Sequence, residues 1–116
     1  MRILLTFLIC LPSFTLAAEF PLLKDDAPLS REDVIAMTKR DVVEFYEGGQ
    51  SRYDPDGAYS YTYQSGGTAF GAFEVGPDGV ICIQFQNGRG RCDRFVRSHG
   101  RIVMITQSGD RYPIRP

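Results

Sequence analysis

Few side chains in this chain stand in a pattern that could do chemistry. His99, the only histidine, lies in Ser98-His99-Gly100 with no nucleophile and orienting acid beside it in sequence, so it reads as a solvated turn residue rather than a base. Asp54-Pro55-Asp56-Gly57 begins like a calcium loop but lacks the downstream ligands and the closing glutamate, and it reads as a turn. Glu44, Glu47 and Glu74 are the carboxylates that could pair for acid–base work, and they define the enzymatic alternative. No catalytic residue, metal site or cofactor is assigned, because there is no phosphate-binding loop, metal-ligand spacing or nucleic-acid module.

Two sets of residues could recognise a ligand instead. Tyr59, Tyr61 and Tyr63 share one face of a strand by the period of two, with Ala58, Ser60 and Thr62 on the other. Such a stripe is either core or an amphipathic binding platform. Core is the reading adopted, because the opposite face carries only small residues. With Phe70, Phe73, Phe85 and Phe95 the rings could also line a calyx mouth. The second set is Arg89, Arg91, Arg94 and Arg97. Residues 19–78 carry a net −7 and residues 79–116 a net +5. That asymmetry offers an anion-binding face, or two halves that neutralise each other across a sheet, and the second is the simpler expectation.

The start of the chain sets the compartment. Arg2, the apolar run Ile3 to Leu11, the break at Pro12 and the small residues Ala17-Ala18 form a secretory signal over residues 1–18, too short for a membrane span. Cleavage would leave one domain in the periplasm or outside the cell, with Cys82 and Cys92 as its two cysteines. An even pair in an oxidising compartment predicts a disulfide.

Residues 19–29, with Pro21 and Pro28, read as a loosely packed polar arm before a single domain over 30–116. Ser30 with Asp33 three residues on opens a helix over 31 to about 39. Residues 41–47 could extend the helix to Gly48 or turn into a strand; Val42, Val43, Phe45 and Tyr46 are β-branched or aromatic and favour the strand, and Gly48-Gly49 would end either element. Turn signals then recur at hairpin spacing: Pro55-Asp56-Gly57, Ser65-Gly66-Gly67, Pro77-Asp78-Gly79, Asn87-Gly88, Ser98-His99-Gly100 and Ser108-Gly109-Asp110. The expected fold is mainly β, an antiparallel meander or small barrel with one short N-terminal helix.

Two registers compete for the cysteine hairpin. A three-residue loop with Gly88 left-handed places Cys82 opposite Cys92, whereas a two-residue Asn-Gly turn opposes Ile83 to Cys92 and separates the isoleucines better from the arginines. The bridged register is preferred on compartment.

Over Leu29 to Arg115 the helix start, Tyr53-Asp54-Pro55-Asp56-Gly57-Ala58-Tyr59, Gly66-Gly67, Gly71-Ala72-Phe73-Glu74-Val75 and Val80-Ile81-Cys82 with Arg91-Cys92 resemble small exported proteobacterial β domains of unknown function. The resemblance implies a β fold, a bridged hairpin and the cell envelope, with tryptophan common where Phe73 stands. Exported lysozyme inhibitors are similar in size, β content and disulfide use, but their diagnostic motif is absent. The expected function is a noncatalytic binding module for a protein partner or small molecule of the envelope, with no nucleic acid and no membrane span. The alternative is an envelope enzyme using sheet carboxylates.

Overall fold

A computed structural model describes residues 19–116, so the expected signal segment and Cys10 lie outside the described residues. Ser30 caps helix α1 (Arg31–Thr38) by accepting the Asp33 amide at 3.2 Å, and Glu32 and Asp33 place acids in the first turn, where the helix dipole favours them. Val34 and Met37 form its buried edge. The chain then enters a meander, as its turn signals predict: β2 (Val43–Glu44), β3 (Gln50–Tyr53), β4 (Ala58–Thr62), β5 (Thr68–Val75), β6 (Ile81–Phe85), β7 (Gly90–Ser98), β8 (Arg101–Thr106) and β9 (Arg111–Pro113). Each pairs antiparallel with the next in sequence. Both Pro-Asp-Gly sequences form tight turns, with Gly57 donating to the Asp54 carbonyl at 2.9 Å and Gly79 to that of Gly76 at 3.0 Å.

The sheet curls until its ends meet. Phe45 and Ile114 form a bridge, the Tyr46 amide donates to the Pro113 carbonyl at 3.1 Å, and the Arg115 amide donates to the Glu44 carbonyl at 2.7 Å. The concave side holds the main core of Val43, Phe45, Tyr53, Tyr59, Ile81, Ile83, Phe95, Met104 and Ile114, joined by Val34 and Met37 of the helix. In a meander alternate turns lie at opposite ends. The 54–57, 76–79 and 98–100 turns therefore share the helix end, and the 46–49, 63–67, 86–89 and 107–110 turns share the other, which is open.

The 82–92 hairpin adopts the three-residue loop. Gly88 takes the left-handed conformation (φ 89°), Phe85 donates to the Arg89 carbonyl at 2.8 Å, and Cys82 lies opposite Cys92 and is bridged to it. Counting from the 85–89 closing pair puts the cysteines at a non-hydrogen-bonded position, where opposed side chains come closest.

Residues 19–29 do not pack loosely. Ala27–Pro28 form strand β1, paired with Arg97 and Val96 of β7 beyond the point where β6 ends. The Leu29 amide donates to the Phe95 carbonyl at 2.9 Å. Phe20 packs on Val96, Val103 and Ile105, a small apolar cluster on the convex side. Arg111 grips both oxygens of Asp26 at 2.8 Å. The prolines and charges of the arm hide a short edge strand, where a proline removes no hydrogen bond the sheet needs.

Candidate functional site: an aromatic cleft at the open end

Strand β4 passes from the core to the open end, and its tyrosines divide accordingly. Tyr59 is buried, its hydroxyl 2.9 Å from Ser51 Oγ, and burial pushes its pKa up. Tyr61 is half-buried and donates to Glu47 Oε1 at 2.6 Å. Burial, then that hydrogen bond and the carboxylate's charge, raise its pKa far above the usual phenol range. Tyr63 is 53% exposed, and its ring stands edge-on to Tyr61 at 4.9 Å. One stripe thus serves both readings, core at its first ring and open surface at its last.

Tyr61 and Tyr63 form one wall of a cleft of about 490 Å³. Phe45 lies behind them, 6.1 Å from Tyr61 and 6.4 Å from Tyr112 of the facing wall, where Met104, Thr106 and Asp110 complete the lining. Glu47 stands at the mouth. Its Oε1 accepts from both the Tyr61 hydroxyl and the Gly49 amide, the latter at 3.1 Å, and its Oε2 has no partner among the described residues. Gly49 is required for this arrangement, because a Cβ there would collide with the Tyr61 hydroxyl and Glu47 Oε1. Asp110 accepts from the Ser108 hydroxyl at 3.0 Å and forms no ion pair.

Arg91 also reaches the cleft, but its charge is spent. Its Nε lies 2.9 Å from Oδ1 of fully buried Asp93 and donates to Oδ2 at 3.2 Å. Burial pushes the Asp93 pKa up, while Arg91 pulls it down. Arg91 Nη2, Asp93 Oδ1 and the Tyr53 hydroxyl are buried polar atoms without a well-aligned protein hydrogen bond. For Asp93 Oδ1 the short distance to Arg91 supplies charge but not a linear bond.

The sequence-selected arginines do not form one surface. Arg89 is exposed in the 86–89 turn, and Arg91 points inward. Arg94 is on the convex side, bonded to the Asp78 carbonyl at 2.7 Å and lying 5.7 Å over Phe20, while Arg97 is exposed at the helix end. Arg94 with Asp78 and Arg111 with Asp26 join the basic half of the chain to the acidic half. Of the phenylalanines grouped as a calyx, Phe95 is core, Phe73 packs on Tyr53 at 5.1 Å and Phe85 on Tyr59 at 6.0 Å. Phe70 instead faces outward and is 55% exposed, because the inward positions of β5 are the odd ones. His99 is exposed, with Nε2 3.6 Å from Asp25 Oδ2. Glu44 and Glu74 face outward on strands three apart in the sheet, whereas Glu47 is at the mouth, so these carboxylates do not converge.

Two larger hollows are lined differently. One of about 830 Å³ near the disulfide is floored by Ala58, Gly71, Ala72 and Gly90 and has Phe73 as its only ring. Another of about 1020 Å³ lies between α1 and β3–β5, where Asp41, Asp54, Asp56 and Glu74 share the lining with Arg31, Lys39, Arg40 and Arg52, so it has no single sign of charge.

No family model, curated protein or solved structure matches this chain.

Glu47, Asp110, Tyr112 and Phe45 were not selected from sequence as ligand-binding residues. A signal existed. Once the strands are counted, alternation places the turns at 46–49 and 107–110 at one end, and their acids fall beside the last tyrosines of the β4 stripe.

Proposed function

We propose that this chain is an exported, noncatalytic binding module that holds a small organic cation in the cleft at its open end. The observation that carries this reading is Glu47, fixed through one oxygen by Tyr61 and Gly49 with the other oxygen unused, beside the rings of Tyr61, Tyr63 and Tyr112. Aromatic faces and an unpaired carboxylate attract an ammonium group, and the ring contribution alone is worth about 0.5–2 kcal/mol. The one guanidinium on the lining is neutralised by Asp93, so Glu47 and Asp110 set the sign of the site. Export is supported by the signal pattern of residues 1–18 and by the Cys82–Cys92 bridge. Among the described residues no helix is long and apolar enough to cross a membrane.

The test is a titration of residues 19–116 with choline and with 3,3-dimethylbutan-1-ol, its neutral isostere, read from the tyrosine ring NMR signals. Choline should shift Tyr61, Tyr63 and Tyr112 and bind at least about tenfold tighter than the alcohol, a difference of about 1.4 kcal/mol. Glu47→Gln should remove most of that difference without altering the remaining spectrum. Equal binding of the two compounds would refute the cation preference, and no shift with either would refute the cleft as the site.

A further inference from the structure

A second pocket carries the opposite charge. At the helix-side end of the β2–β9 seam, Arg40, Arg97, Arg101 and Arg115 line a pocket of about 150 Å³ together with Tyr46. The arginines reach it from four different segments: the α1–β2 link, the end of β7, the start of β8 and the residues after β9. The Tyr46 ring holds two of them, with the Arg115 guanidinium 4.7 Å and the Arg101 guanidinium 5.4 Å from its centroid. Arg40 Nη1 donates to the Arg115 carbonyl at 3.3 Å.

None of the four makes an ion pair among the described residues, although Arg91, Arg94 and Arg111 each have an aspartate. Glu44 lies on an adjoining groove beside Arg40 and Arg115, and Pro116, the last residue of the sequence, lines the pocket itself, but neither forms an ion pair with the arginines. The cluster is not a by-product of a basic chain, because the formal net charge is −1. Four like charges gathered with no ion pair among the described residues repel one another, and a bound anion relieves that cost.

We infer that this pocket is an anion site for a phosphate group. A lone carboxylate is satisfied by one guanidinium fork, whereas four forks arriving from different segments suit a tetrahedral, multiply charged group with several acceptor oxygens. The shared chemistry is a phosphate ester or free phosphate. The site is separate from the aromatic cleft, shares no lining residue with it, and does not depend on what the cleft binds.

The test uses residues 19–116, titrated by calorimetry with inorganic phosphate, glycerol 3-phosphate and acetate, and by co-sedimentation with vesicles of phosphatidylglycerol against phosphatidylcholine. Binding of a phosphate species at least about tenfold tighter than acetate is expected. Arg101→Ser with Arg115→Ser should abolish it, whereas Arg89→Ser, in the turn at the opposite end, should leave it unchanged. Arg115→Lys, which keeps the charge and loses the fork, should bind with intermediate strength, and thermal unfolding of each variant checks that the fold persists. Binding of the soluble phosphates identifies a small-molecule source, and binding of phosphatidylglycerol vesicles alone identifies a lipid headgroup. Acetate binding as well as phosphate, phosphate binding undiminished in the Arg101/Arg115 double variant, or no phosphate species binding at all would overturn the assignment.

Discussion

Asp26 and Arg111 meet across 85 positions of sequence through two parallel bonds of 2.8 Å, with the Asp26 side chain closed to water. The Arg111 guanidinium holds the Asp26 pKa down to about 2 from its ordinary 3.8. Between those values the unfolded chain binds more protons than the folded one. The pair's contribution is therefore complete above about pH 4 and drains away as pH falls towards 2. Asp26→Asn should lower the melting temperature at pH 7, and its difference from the parent should shrink steadily when melting is repeated from pH 4 down to 2. A difference constant across that range would mean the carboxylate's charge contributes nothing. Arg91 and Asp93 follow a different logic. Asp93→Ala strands a guanidinium whose side chain is only 33% exposed, and by the behaviour of broken buried pairs it should cost about 3 kcal/mol in denaturant unfolding. Replacing the pair together, Arg91→Met with Asp93→Leu, should recover most of that loss, because the desolvation penalty goes with the charges.

At the scale of elements, the β6–β7 hairpin is held by both its turn and its bridge. Reducing Cys82–Cys92 should lower unfolding free energy by about 2–3 kcal/mol on the loop-entropy account, and leave the strand content unchanged by circular dichroism. A loss of strand content on reduction would show that the Gly88 turn cannot hold the register alone. The β2–β3 turn is the element that shapes the cleft. Gly49→Ala should push Tyr61 off Glu47 and weaken choline binding about as much as Glu47→Gln does, although residue 49 would touch no ligand. These elements differ in how readable they were. The helix cap at Ser30, the Pro-Asp-Gly turns and the strands from β4 onward rest on local rules, and the sequence carries them openly. Strand β3, Gln50-Ser51-Arg52-Tyr53, escaped because serine and tyrosine are its inward residues, so no apolar alternation marks it. The arginines of β7 were grouped by nearness in sequence, yet the period of two sends Arg91 inward and Arg94 outward. The cleft escaped for a related reason, since its acids and rings come from strands and turns that only the curl of the sheet brings together.

The whole molecule is a curled sheet that has to cover two apolar surfaces, and the N-terminal arm covers the second. Val96, Val103 and Ile105 point away from the main core, yet all three are buried, with Phe20 packed on them. Strand β1 also occupies the hydrogen-bonding edge that β7 presents once β6 has ended at the Ile81–Asp93 pair. Removing residues 19–29 would expose the apolar cluster, open that edge and delete Asp26, the partner of Arg111. An exposed edge beside a hydrophobic patch is a template for pairing with another chain. A chain beginning at Ser30 should therefore melt at lower temperature and elute from size exclusion as a concentration-dependent oligomer, whereas residues 19–116 should elute independently of concentration. Cys82–Cys92, Glu47, Tyr61 and Tyr63 lie outside the arm's contacts, whereas Asp26 and Pro21 of the arm meet Arg111 and Gly109 beside the cleft's Asp110 and Tyr112, so the truncated chain at low concentration should bind choline more weakly than residues 19–116 without losing it. Loss of binding together with loss of strand content would instead show that the arm is needed to curl the sheet, and that the two apolar surfaces fold as one unit.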